Sequence, residues 1–314
     1  MKLLEIVVPP SAGADVIATA LQLATSLHKN PVRAGICDGF IGNRILAAYR
    51  TAADALMEEG ASPYQIDSAM QGFGFPMGPY RLLDLAGGQT ASAGRKRRAA
   101  TRGTGARYVV IPDRFCENGW FGQKAGRGFY RYDSLARKGT PDPEVEALKA
   151  RERANAGVRP RAFSDAQILQ RCVAFIINEG ASVVGEGIAL RPLDVDMVMV
   201  HGYGFPNRRG GPMFLADATG LADWLDDIRP FGAQDPVFWR PAPLLERCVA
   251  QDTAFASLNA APEASKLLRA RCHPAIHTIS RHGSPTKRTP PCGDGSARCT
   301  KRGDCAGAGR IRAG

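Results

Sequence analysis

The chain has 314 residues, 44% of them hydrophobic, and a formal net charge of +11. That length and composition are those of a globular protein able to bury two cores, and no apolar run approaches the ~18 residues a membrane span needs. The charge is uneven: ten Lys/Arg against two Asp fall between Arg269 and Gly314, so +8 belongs to the tail and only +3 to the body, and a nucleic-acid contact would be the tail's.

The opening "MKLLEIVVPP" reads as a strand with one acidic residue, Glu5, on an apolar run. Glu5 and the pair Pro9-Pro10 interrupt any leader, which makes the cytoplasm the default expectation. A helix from about Gly13 to His28 and a second short strand, "PVRAGI", follow, then the turn "CDGFIGNR". Such a start is what the end of an α/β domain looks like. A dinucleotide fingerprint, Gly-x-Gly-x-x-Gly between a strand and a helix, is not found: Gly72 and Gly74 follow a helix, and the pairs Gly103/Gly105 and Gly293/Gly295 lack the third glycine.

Apolar residues then recur at helical spacing from Ile41 to Glu59, stopping at Gly60. Ser62-Pro63 predicts the N-terminus of a second helix, and Gly78-Pro79 opens a third that ends near Gly87. The order returns about 130 residues later: Ile168 to Glu186 with Gly187, then Arg191-Pro192, then Gly211-Pro212 to Gly220. Between the second and third helices stand "GFGFPMGP" (72–79) and "GYGFPNRRGGP" (202–212). Arg44 aligns with Arg171, Glu59 with Glu186, Asp67 with Asp196 and Asp84 with Asp217. The chain is a duplication of one helical unit, and the aromatics of its motif are expected in the core. Asn43 has no counterpart, the second copy reading Gln170-Arg171.

The run Arg95-Lys96-Arg97-Arg98 is read as a solvated face, with contact to a phosphate-bearing ligand as the alternative. In "ENGWFGQKAGRGFYRYD" the glycines and Lys124 form a loop that Phe129, Tyr130 and Tyr132 anchor, and Asp133 to Arg161 reads as helix plus connector. The tail lacks aromatics and is expected to be disordered or read out of frame. Its Cys292, Cys299 and Cys305 form no Cys-x-x-Cys pair, and no metal is expected. Cys37, Cys116, Cys172 and Cys248 stand apart and read as small core residues.

Together, "MKLLEIV", "PVRAGICDGFIGNRILAAY", "EEGASPYQIDSAMQGFGFPMGPYRLLDLAG", "GWFGQKAGRGFYRYD" and "INEGASVVGEGIALRPLDVDMVMVHGYGFPNRRGGPMFLADATGL" resemble the 3-hydroxyacyl-CoA dehydrogenases of fatty-acid β-oxidation, in their multifunctional form. The resemblance implies a mainly α fold: two repeated helical domains of that family's C-terminal type (6-phosphogluconate-dehydrogenase C-terminal-like), after a short β-α-β remnant of a Rossmann domain. The expected division is 1–36 remnant, 37–133 first repeat, 134–163 linker, 164–264 second repeat and 265–314 tail.

By the same resemblance Glu5 orients and charges the catalytic histidine, and Asn43 contacts the substrate at the reacting centre. An edge-strand charge and a helix cap are the plainer readings of the two residues. The family's histidine would precede Met1, as would its nicotinamide-binding glycines, so the resemblance implies a fragment, inactive alone. Acyl-CoA is the implied substrate and NAD the implied cofactor. A homodimer or an NAD-binding/hydratase partner is expected, with no nucleic acid and no membrane. The alternative is a non-catalytic helical scaffold or an acyl-CoA-binding module.

Overall fold

A computed structural model of the chain describes residues 1–99, 107–133, 139–232 and 235–260, so the expectations for the tail lie outside the described residues. β1 (Leu3–Val7) and β2 (Asn30–Ala34) pair in parallel, with Leu3 opposite Asn30 and Val7 opposite Ala34. Parallel strands need a crossover, and α1 (Ala14–Ser26) supplies it. The strand pair rests on the second repeat: Gly35 N donates to Ile188 O at 2.8 Å, and Leu3 packs where a side chain on Gly202 would stand.

The first repeat comprises α2 (Gly42–Glu59), α3 (Pro63–Phe73) and α4 (Pro79–Ala86), followed by α5 (Gly88–Ala99) and α6 (Ile111–Glu117). Ser62 Oγ accepts from Tyr64 N at 3.2 Å ahead of Pro63, the cap that the sequence predicts. A two-residue pair, β3 (Tyr130–Arg131) and β4 (Thr140–Pro141), leads to α7 (Pro143–Asn155). The second repeat comprises α8 (Asp165–Gly185), α9 (Pro192–Gly202) and α10 (Pro212–Thr219), followed by α11 (Leu221–Gly232) and α12 (Pro243–Ala250). α8 begins three residues before the predicted Ile168, because Ser164 and Gln167 close a capping box there. It is also long and apolar enough to cross a membrane (mean hydropathy 1.2 over 18 residues), although two-thirds of that stretch lies inside the core.

The two repeats are alike down to single hydrogen bonds. Asp67 accepts from Tyr80 N and Arg81 N at the start of α4, and Asp196 accepts from Met213 N and Phe214 N at the start of α10. Each carboxylate takes two of the N–H groups a helix leaves without partners. Asp84 accepts from Phe129 N and Tyr130 N, and Asp217 from Phe255 N and Ala256 N.

The repeats meet reciprocally along α2 and α8. Arg44 pairs with Glu186, and Arg171 with Glu59. The Gly-Phe-Pro motifs lie back to back: a methyl on Gly74 would stand 3.0 Å from Pro206, and one on Gly204 would stand 2.9 Å from Pro76. Phe75 and Phe205 cross edge to face at 5.5 Å, both buried, as core aromatics should. An interface in which i meets j and j meets i is isologous, so the single chain reproduces a two-fold dimer within itself.

Phe129 and Tyr130 anchor the inter-repeat segment as expected, and Lys149 of α7 donates to Ala61 O at 3.2 Å. Within the basic run Arg95 departs from the solvated reading, largely covered with its Nε 2.7 Å from Asp113, whereas Lys96 and Arg97 are exposed as expected, Arg97 pairing with Asp38 at the surface. α5 holds these arginines in place although it has no apolar stripe to announce it.

Candidate functional site

Three elements converge at the N-terminus of α2. β1 brings Glu5, whose Oε2 accepts from Ile41 N at 3.0 Å and whose Oε1 accepts from Gly42 N at 3.3 Å. No side chain of the preceding turn caps α2, so a carboxylate from far back in the chain satisfies its first N–H groups. Burial raises the Glu5 pKa, and the two N–H donors oppose that rise. Asn43 follows on the exposed side of the first turn. Its Oδ1 accepts from the hydroxyl of Tyr203 at 3.0 Å.

Tyr203 comes from the end of α9, in the second repeat, and the hydroxyl end of its ring lies against the backbone at Gly42. Any side chain at position 42 would collide with that ring, so glycine is what lets the two repeats close here. Burial pushes the Tyr203 phenol above its usual range, the nearby Glu5 carboxylate adds to the rise, and Arg50 opposes it. The structure thus brings Glu5 and Asn43 to one place and adds Tyr203. The signal for Tyr203 was available: in the duplicated motif it is the one aromatic that differs, Phe73 standing in the first copy.

Further along α2 the same face borders a cleft of about 400 Å³ lined by Ala47, Thr51, Asp54, Arg95, Tyr108 and Trp239. Burial pushes the Asp54 carboxyl up to about 7, although Arg95, the Tyr80 hydroxyl (3.3 Å away) and Arg50 all favour its charged form. Nothing in the periodicity of α2 distinguishes Asp54 from a solvated residue.

The cofactor expectation can be tested on the turn between β1 and α1. A dinucleotide needs free N–H groups there to meet its pyrophosphate. Pro9 and Pro10 offer none, and the Asp15 carboxylate sits over Gly13, where a methyl would stand 2.5 Å from its oxygen. An anion would meet a carboxylate, so this turn offers no seat for a pyrophosphate. Among the described residues no three His, Cys, Asp or Glu side chains group together as a metal site.

The model of the 3-hydroxyacyl-CoA dehydrogenase C-terminal domain matches residues 39–132 and 168–255, one segment in each repeat. The chain is 40% identical over 265 residues to the peroxisomal bifunctional enzyme of Danio rerio, covering 80% of this chain and 37% of that protein. It is 41% identical over 248 residues to the Homo sapiens enzyme of the same name, covering 75% and 34%. A glyoxysomal fatty acid beta-oxidation multifunctional protein of Brassica napus is 34% identical over 249 residues, covering 78% and 34%. The chain therefore spans little more than a third of the length of these relatives.

Among solved structures, the 3-hydroxybutyryl-CoA dehydrogenase of Escherichia coli K12 superposes with a TM-score of 0.62 at 23% identity, covering 79% of this chain and 67% of that one, which speaks for the fold alone. The dehydrogenase part of multifunctional enzyme 1 from C. elegans superposes with a TM-score of 0.59 at 26% identity, covering 79% and 56%. The cytoplasmic expectation is overturned, since the relatives are peroxisomal and glyoxysomal by name. That expectation rested on a missing leader, and the lack of one address signal names no compartment.

Proposed function

The chain belongs to the 3-hydroxyacyl-CoA dehydrogenase family, whose C-terminal domain it carries twice, and from that premise we propose that it is the substrate-binding part of an NAD-dependent enzyme of fatty-acid β-oxidation. The reaction is oxidation of a 3-hydroxyacyl-CoA to the 3-oxoacyl-CoA. The observation that supports this reading is the meeting of Glu5 and Asn43 at an open helix N-terminus.

In this reading the exposed Asn43 amide donates to the thioester or 3-oxo oxygen, where negative charge builds up. Glu5 supplies the negative charge beside which a histidine cation would be favoured. NAD, when bound, would supply the hydride acceptor. The β1–α1 turn offers it no seat; in this reading the described residues bind and orient substrate, and the nicotinamide and the base belong to an NAD-binding partner segment. A homodimer is not needed to cover α2 and α8, since the repeats already cover each other.

A second reading, an acyl-CoA-binding module or scaffold without turnover, gains from Glu5, both of whose oxygens are engaged by the α2 backbone. Isothermal titration of acetoacetyl-CoA into the 314-residue chain tests the binding common to the catalytic and acyl-CoA-binding readings. Binding is expected, and Asn43→Ala should weaken it by about tenfold, the worth of one hydrogen bond to a developing or partial charge. No detectable binding by the unaltered chain would leave only a scaffold.

A further inference from the structure

We propose that Tyr203 is a positioning residue for Asn43: the second repeat fixes which face of the carboxamide the first repeat shows to substrate. The hydroxyl of Tyr203 donates to Asn43 Oδ1 at 3.0 Å. An amide held by its oxygen has only its NH₂ group left to present, so the exposed side of Asn43 is a donor. Without that bond the carboxamide can rotate, and half of its orientations would offer an acceptor to an oxygen of the substrate. The raised pKa of Tyr203 keeps the donating proton in place at neutral pH.

The duplication supplies an internal control. The positions equivalent to Asn43 and Tyr203 in the other copy are Gln170 and Phe73. Phe73 has no hydroxyl to give, and its ring is covered by Arg209 at 3.9 Å. Gln170 turns away, its Nε2 donating to Asp227 at 2.5 Å. Both members of the pair differ together, and they are present together only where β1 brings Glu5. One site per chain, built from both repeats, follows from that asymmetry. The second repeat is then more than a structural copy.

The consequence for substrate rests on the acyl-CoA reading above; the consequence for the amide does not. Tyr203→Phe keeps the ring against Gly42 and removes only the hydroxyl. In nitrogen-resolved NMR of the ligand-free chain, the Asn43 side-chain amide signal (identified by its loss in Asn43→Asp) should move toward that of a free asparagine in Tyr203→Phe. Acetoacetyl-CoA titrations on the four members of the Asn43→Ala, Tyr203→Phe cycle should show Tyr203→Phe weakening binding up to tenfold while Asn43 is present. It should have no further effect once Asn43 is gone. An unmoved amide signal, or losses that add in full, overturns the proposal. If the unaltered chain does not bind acetoacetyl-CoA, the acyl-CoA reading falls, and the amide signal alone decides the positioning.

Discussion

Asp54 lies on the same face of α2 as Asn43, about three turns further along, with its carboxyl pushed up to about 7. A carboxyl whose pKa is higher folded than unfolded holds its proton more tightly in the folded state. Its contribution to stability is complete below the unfolded value of 3.8 and is lost as pH rises through 7. Asp54→Asn cannot ionise and should remove that dependence. At about 1.4 kcal/mol per pH unit the window is worth up to about 4 kcal/mol, so the melting temperature of the unaltered chain should fall relative to the variant between pH 4 and pH 7. Parallel melting curves across that range would show an ordinary surface carboxylate instead. The site residues divide in the same way by how they announce themselves. Glu5 and Asn43 were legible because their chemistry stands in motifs that resemble a family. Asp54 was not, because burial beneath Tyr80 of α4 and Arg95 of α5 gives it its character, and a single helix does not report what will cover it.

At the scale of elements, α2 and α8 show how one repeated sequence makes two unequal contacts. Glu59 is surrounded by three guanidinium groups: Arg107 at 2.8 Å, Arg161 at 2.7 Å and the buried Arg171 at 2.9 Å. Burial alone would raise its pKa, but hydrogen bonds from Arg107 and Arg161, with the charge of Arg171, hold it below the usual range. The equivalent pair, Arg44 with Glu186, leaves Glu186 half exposed. Breaking a buried pair strands a charge and costs roughly 3–5 kcal/mol, whereas an exposed pair is worth about 0–1 kcal/mol. Chemical unfolding should therefore find Glu59→Gln destabilising by about 3 kcal/mol or more and Glu186→Gln by under about 1. Equal losses would mean that the symmetry of the contact extends to its energy. Because the Glu59 pKa is lowered, its share of stability is present above 4.5 and lost as pH falls below that value. The repeat was readable from its glycines, prolines and aspartates, since these punctuate helices locally. The reciprocity was not, because Arg44 and Glu186 are brought together only by packing.

At the scale of the whole molecule, the strand pair and both repeats are joined at one point, the start of α2. β1 caps it, α9 closes over it through Tyr203, and the open side of Asn43 faces outward. On the reading proposed above this seat orients an acyl-CoA, but oxidation asks for two further things. Hydride transfer needs a bound nicotinamide, and removal of the hydroxyl proton needs a base within hydrogen-bond reach. Among the described residues, the β1–α1 turn offers prolines and a carboxylate rather than a seat for a pyrophosphate, and both oxygens of Glu5 are held by the backbone of α2. The 314-residue chain mixed with NAD and 3-hydroxybutyryl-CoA should therefore form no NADH above the blank. Joined to a family nicotinamide-binding domain bearing the histidine, it should turn over. In that active form Asn43→Ala should lower kcat by about 10²-fold if the amide meets the developing charge. NADH formed by the chain alone would show that hydride and proton find acceptors within these 314 residues, and a fully active Asn43→Ala form would show that the amide does not meet the developing charge; the helix-cap reading is already excluded, since Ile41 stands at the N-cap of α2 and Asn43 lies inside its first turn.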